Sequence, residues 1–178
     1  VMVRPVADAL HRRQTNVDRV AAAVARDAAP GDLVVVNPWY LGVSFQRYYR
    51  GAVPWTTVPP LGDHHIHRYD LLKQSLAADR PLGPVLDAVE RTLASGDSVW
   101  IVGEMPTPPP GMSVPDLPPA PNGGFGWSEA AYVTHWAQQV GALLRSRGTA
   151  RENATPRFAD PINPYENIGL LRVRGARS

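Results

Sequence analysis

The chain alternates amphipathic helical segments with short runs in which every residue is apolar, and this alternation most narrows the folds open to it. Leu33-Val34-Val35-Val36 and Val99-Trp100-Ile101-Val102 carry no charged residue and offer apolar side chains to both faces. A strand of that kind has to be covered on both sides, which is the condition of a parallel sheet with helices against each face. The helical segments carry one apolar stripe each. Val17, Val20, Ala21, Val24 and Ala28 share a face, with Asn16 as a natural N-cap and Pro30-Gly31 as the stop. Leu41–Arg50 ends at Gly51, and His67–Ala78 has Asp70 in its first turn. Pro84 stands at the first position of a helix that buries Val85, Leu86, Val89 and Leu93 and stops at Gly96. Ser128 caps a long helix reaching Arg147, with Tyr132, Val133, Trp136, Val140, Leu143 and Leu144 on its buried side. Trp55–Val58 and Gly169–Val173 complete the strands. The expected architecture is α/β: a three-layer α/β/α sandwich around a mostly parallel, Rossmann-like sheet.

Size and composition agree with one domain over residues 1–178, long enough to bury a core, with 44% of residues apolar. The formal charge is +2, so the charge balance makes no case for nucleic acid or an anionic membrane as partner. Lys73 is the sole lysine among 18 Lys and Arg residues. The absence of Cys excludes disulfides, zinc–thiolate centres and thiol nucleophiles. No run approaches the about 18 apolar residues of a membrane span. The opening stretch VMVRPVADALHRRQTN is too charged for a signal peptide, and its abrupt start suggests a domain cut from a longer protein.

Residues 37–70 hold the densest chemistry. Trp39, Trp55, Tyr40, Tyr48, Tyr49 and Tyr69 lie there with three of the five His, in Asp63-His64-His65-Ile66-His67-Arg68. On an open α/β sheet, ligands bind beyond the carboxyl ends of the strands. Asn37-Pro38-Trp39-Tyr40, the Asp63–Asp70 segment and Gly103-Glu104 all follow expected strands. Trp39, Tyr40, Asp63, His65, His67, Arg68 and Glu104 are therefore the candidate binding residues. The aromatics suit stacking against sugar rings, although each taken singly also suits core packing. Arg68 could clamp a carboxylate or phosphate, or pair with Asp70 in a structural role.

Other chemistries leave thinner traces. His65-Ile66-His67 on a strand would point two imidazoles to one side, with Asp63 or Asp70 completing a metal site, and a metal-dependent hydrolase follows from that arrangement. The same residues also read as a polar loop leading into a helix. Neither G-x-G-x-x-G nor G-x-x-x-x-G-K-[ST] occurs, so no cofactor is implied. Gly42-Val43-Ser44-Phe45 comes nearest to a nucleophile elbow and lacks the second Gly, leaving only a spatial triad of Ser44, a His and Asp63. Asn122-Gly123-Gly124-Phe125-Gly126 follows a Pro tract rather than a strand. The Pro106–Gly126 stretch reads as an ordered surface loop, and its Pro106–Pro121 part as a possible docking segment for a partner. Asn163-Pro164-Tyr165-Glu166-Asn167 reads as a tight polar turn.

Several phrases together resemble a known pattern: RQTNVD at Arg13–Asp18, GDLVVVNPWYLGVSFQRYY at Gly31–Tyr49, HRYDLLK at His67–Lys73, LASGDSVWIVG at Leu93–Gly103, PPAP at Pro118–Pro121 with Gly126-Trp127, and NPYENIGLL at Asn163–Leu171. They are similar to the soluble C-terminal region of bacterial membrane glycosyltransferases of family 39, the protein mannosyltransferase-like GT-C group, and the likeness spans nearly the whole chain. The resemblance implies a polytopic parent that transfers sugar from a polyprenyl-phosphate donor on the extracytoplasmic (periplasmic) face of the membrane. Its catalytic acid lies in a loop near the first membrane helices, which this chain does not contain, so no catalytic residue carries over. The implied partners are the transmembrane part of the same polypeptide and a glycan or acceptor.

Overall fold

The computed structural model describes residues 13–159 and 161–176. Most of the charged opening stretch lies outside the described residues. Five helices and five strands follow in the order α1 (Val17–Asp27), β1 (Leu33–Asn37), α2 (Leu41–Tyr48), β2 (Trp55–Thr57), α3 (Tyr69–Ala77), α4 (Gly83–Ala94), β3 (Ser98–Gly103), α5 (Glu129–Arg147), β4 (Ala150–Asn153) and β5 (Leu170–Arg174), with a 3-10 turn at Pro164–Glu166 before β5.

The strands form one mixed sheet in the order β2-β1-β3-β5-β4. β1 lies parallel to both neighbours, with Val34 opposite Trp55 and Leu33 through Asn37 opposite Val99 through Gly103. β5 is antiparallel to β3, pairing Val99 with Val173, and β4 is antiparallel to β5. The parallel character expected of the sheet thus holds for β2, β1 and β3, and the far side is antiparallel. Among the described residues only the 3-10 turn and no α-helix intervenes between β4 and β5, so the chain returns as an antiparallel neighbour instead of crossing over. β4 itself, Ala-Arg-Glu-Asn with all four residues exposed, has no apolar signature and went unforeseen.

Alternate residues of β1 and β3 enter two different hydrophobic clusters, as a period of two requires. Leu33, Val35, Val99 and Ile101 pack with Leu72 and Leu76 of α3, Val85, Val89 and Leu93 of α4, and Tyr132, Trp136, Val140 and Leu144 of α5. Val34, Val36, Trp100 and Val102 pack with Val17, Val20, Ala21 and Val24 of α1 and Phe45 of α2. Each apolar side chain removed from water contributes roughly 1.5–3 kcal/mol, which is why these all-apolar strands lie at the centre.

Polar ties set the details. Asp32 is buried just before β1. Its Oδ1 accepts from the Ser98 amide at 2.8 Å, and its Oδ2 accepts from Trp100 Nε1 at 2.8 Å and the Ala29 amide at 3.0 Å. Asn16 precedes α1 as expected but does not cap it through its side chain. Its Oδ1 accepts from the Ile168 amide at 2.7 Å and its Nδ2 donates to Ile168 O at 2.9 Å, joining the start of α1 to the approach to β5. Thr15 Oγ1 accepts from the Val17 amide in its place. Ser128 likewise precedes α5 without a side-chain cap bond. Among the described residues no helix is long and apolar enough to cross a membrane.

Candidate functional site

β1, β2 and β3 run in one direction, so the segments leaving them emerge at one end of the sheet. The β1 and β3 exits are fastened to each other. The Glu104 amide donates to Asn37 O at 3.1 Å, and Asn37 Nδ2 donates to Glu104 O. Gly103 makes this possible: at φ 97° it occupies the left-handed region, and a Cβ there would lie 1.9 Å from Asn37 O. Glu104 therefore joins the rim through its backbone, and its side chain is exposed.

Trp39 organises the rim from below. It is 2% exposed and belongs to the core, so its ring offers no free face for stacking. Its indole meets Tyr40 at 6.1 Å, His67 at 6.0 Å and Tyr69 at 5.1 Å between ring centroids, all near perpendicular. Such edge-to-face pairs add about 0.5–1.5 kcal/mol each beyond burial. The indole Nε1 donates to Glu129 Oε1 at 2.9 Å, tying the β1 exit to the first turn of α5. Tyr40, 48% exposed, and Tyr69, 60% exposed, stand above it.

Asp63, His65 and Arg68 form a second group. Arg68 directly precedes α3; its Nε and Nη2 grip Asp70 at 2.8 and 2.6 Å, and its Nη1 donates to Asp63 Oδ2. Asp63 Oδ1 also accepts from the His65 amide at 3.0 Å and meets His65 Nδ1 at 2.8 Å. These donors hold the Asp63 carboxyl well below its usual range, the His65 amide and ring first and Arg68 after them. Arg68 holds Asp70 down to about 2, and the two carboxylates raise the Arg68 guanidinium in turn, Asp70 before Asp63. The arginine is thus committed to shaping the loop.

The strand placement that a shared metal would require of His65 and His67 is not realised: residues 58–68 form a loop leading into α3, the other reading of this segment. The two imidazoles keep different company: His65 lies with Asp63 and at 3.4 Å from Gln46 Nε2, while His67 packs on Trp39. Among the described residues no group of three or more His, Asp or Glu side chains is arranged to hold a metal. The third histidine of the run, His64, is buried against Trp55 at 4.6 Å. Burial pushes its pKa below the usual value, against the raising effect of Leu61 O and Asp63.

The proline-rich segment lies against its own domain. His135 Nε2 meets Pro115 O, Gln139 Nε2 donates to Asp116 Oδ1 at 2.7 Å, and the Ala120 amide donates to Leu76 O at 2.7 Å. Gly141 lets α5 pass close to it, since a Cβ there would fall 2.1 Å from Pro106 O.

Beside the rim, Tyr69, Leu72, Lys73, Leu76, Trp127 and Glu129 line a groove of about 350 Å³. None of these six belongs to the candidate binding set drawn from sequence, although Tyr69 stands among the aromatics of residues 37–70. The spacing 69, 72, 73, 76 is one face of a helix, so the stripe was legible. Its proximity to Trp127 and Glu129, more than fifty residues later, was not.

No family model matches the chain, and no curated protein or solved structure matches it either.

Proposed function

We propose that this chain is an extracytoplasmic, non-catalytic domain of a membrane glycosyltransferase that uses a polyprenyl-phosphate sugar donor, and that its rim recognises carbohydrate or acceptor. The observation that carries the reading is the gathering of half-exposed rings beside fixed charges at one end of the parallel strands. Tyr40, Tyr69 and Trp127 are 48%, 60% and 44% exposed, and the loop before α3 is tied by Arg68 between Asp63 and Asp70. Concave sites with apolar walls and a few oriented polar groups suit ligands of this size. The family 39-like phrases at Gly31–Tyr49 and His67–Lys73 cover the same rim and support a polytopic parent.

In this reading the transmembrane part of the same polypeptide is the partner, and the parent supplies the catalytic acid. A three-layer α/β/α arrangement belongs to the proposal, and the two hydrophobic clusters that share β1 and β3 support it. The engagement of Asp63 with both Arg68 and His65 favours a binding role over a hydrolytic one for this loop.

The test uses the complete reading frame. Its product is expected to contain several membrane spans, and membranes carrying it are expected to transfer labelled sugar from a polyprenyl-phosphate donor. A reading frame without spans, or membranes inert with every polyprenyl-phosphate sugar supplied, defeats the proposal.

A further inference from the structure

We infer that the groove between α3 and the segment entering α5 is a subsite for a neutral pyranose ring; the inference rests on the carbohydrate-recognition reading above and names where and how the ring sits. The groove is built in three parts. Leu72 and Leu76, 2% and 4% exposed, are core residues whose upper edges form an apolar floor. Tyr69 and Trp127 are the walls. Tyr69 is held by its perpendicular contact with buried Trp39, at 5.1 Å and 86°, while 60% of it stays exposed. Its ring orientation is therefore set before any ligand arrives, which reduces the ordering cost of binding. Trp127 is held across the groove by the Lys73 ammonium, 4.6 Å from the ring centroid.

The third part is polar. Glu129 uses Oε1 to accept from Trp39 Nε1. Among the described residues, its Oε2 meets no donor and neither Glu129 nor Lys73 joins an ion pair, although both line this groove. The two opposite charges do not bridge each other: Lys73 Nζ lies over the edge of the groove against the Trp127 ring, and Glu129 Oε2 is open to a donor from a ligand.

That combination selects the ligand. A net anion gains at Lys73 and loses at Glu129, and a net cation does the reverse, so a molecule without net charge is favoured, and the apolar floor and ring walls favour one with an uncharged face. It needs an apolar face to lie on an aromatic ring, a hydroxyl that donates to Glu129 Oε2, and an oxygen that accepts from Lys73 Nζ. A pyranose has all three: a face of C–H bonds and hydroxyls around its edge that both donate and accept. The volume, about 350 Å³, lies at the small end of ligand clefts and suits one or two rings. Trp39 acts here as a positioning residue, fixing Tyr69 by ring contact and Glu129 by hydrogen bond.

The experiment is an amide NMR titration of the 178-residue chain with methyl α-mannopyranoside, methyl β-glucopyranoside and methyl β-galactopyranoside in turn. At least one is expected to saturate, with shift changes concentrated at residues 69–76 and 127–129. Trp127→Ala and Lys73→Met are expected to weaken that binding about tenfold or more. Tyr48→Ala, which removes an exposed aromatic on α2, is expected to leave it unchanged. Backbone spectra of the variants report folding, and both substituted residues project from the surface. No saturable shift at the groove with any glycoside, or binding indifferent to both Trp127→Ala and Lys73→Met, overturns the subsite. Glycoside shifts confined to Tyr40 and His67 also overturn it while leaving the glycosyltransferase reading standing. Groove binding by a protein whose full-length membranes transfer no sugar upholds the subsite and defeats the enzyme reading.

Discussion

Trp39 Nε1 donates to Glu129 Oε1 across 2.9 Å, joining the end of β1 to the start of α5 over ninety positions of sequence. The contact links a buried ring to a carboxylate on the rim, so a core residue governs the geometry of a surface groove. Trp39→Phe keeps most of the packing and removes the donor. Hydrogen bonds to charged groups contribute about 1.5–3 kcal/mol. The variant is expected to lose about 2 kcal/mol in urea unfolding and to broaden the amide signals of residues 127–131. Trp39→Ala adds a cavity and is expected to cost about 3–5 kcal/mol. Equal stabilities for wild type and Trp39→Phe would show that the indole donor contributes nothing.

Asp32 satisfies three donors at the opposite end of the sheet: the Ala29 and Ser98 amides and Trp100 Nε1. Asp32→Ala leaves all three without a partner in a buried setting. With a cost of about 1–3 kcal/mol for each unsatisfied group, partly relieved by water, a loss of at least about 3 kcal/mol is expected. Chemical denaturation measures it. A change below 1 kcal/mol, on the order of one ordinary hydrogen bond, would mean that the carboxylate is dispensable.

Gly103 cannot accept a side chain without moving the rim. Its φ of 97° and the 1.9 Å approach of a Cβ to Asn37 O act together. The left-handed conformation alone costs an L-residue roughly 1–2 kcal/mol. Gly103→Ala is expected to exceed that cost and to break the Glu104–Asn37 backbone bond, visible as faster amide exchange at Glu104. Exchange at the wild-type rate would refute the close fit.

Arg68 lowers its two carboxylate partners by different shares. For Asp70 the arginine is the leading cause, and for Asp63 the His65 amide and ring come first. In Arg68→Met, Asp70 is expected to return from about 2 towards the usual value near about 4, while Asp63 stays low. A carbon-detected carboxyl titration distinguishes them. The sign follows from linkage: a depressed carboxylate stabilises the fold above the unfolded value near about 4, and that contribution fades as pH falls towards 2. Asp70 is exposed and Asp63 half-buried at the surface, so solvent screening keeps the effect on global stability small. Identical shifts at both residues would count against this division.

His64 titrates in the opposite sense to a paired histidine. Burial lowers its pKa, so the unfolded chain takes up a proton near about 6.5 while the folded one stays neutral to lower pH. The unfolded state binds more protons in that window, and stability therefore falls as pH drops below about 6.5. Urea midpoints at several pH values are expected to show this fall in wild type and to show less of it in His64→Gln. Parallel profiles for the two proteins would remove His64 as the cause.

The helices and central strands could be read from local pattern because local chemistry specifies them. The period of Val17, Val20, Ala21 and Val24 and the unbroken runs at Leu33–Val36 and Val99–Val102 leave little choice of element. The same signals failed at β4, a polar edge strand held by its ladder to β5. They failed also at Asn16, whose capping chemistry was plain but whose partner proved to be Ile168. A short polar side chain offers the same hydrogen bonds to near and distant backbone, and only the packed chain selects between them.

Sequence by itself determined the five helices and every strand but β4, the central parallel pairing and the enrichment of rings and charges after β1, β2 and β3. Tertiary structure decided which of those groups line the groove. Trp39 turned inward, Arg68 was spent between two carboxylates, and Tyr69 and Lys73 were brought to Trp127 and Glu129. The reason is range: periodicity records how a residue relates to its own helix or strand, whereas a groove is made by residues from separate elements whose approach depends on how the core between them is filled.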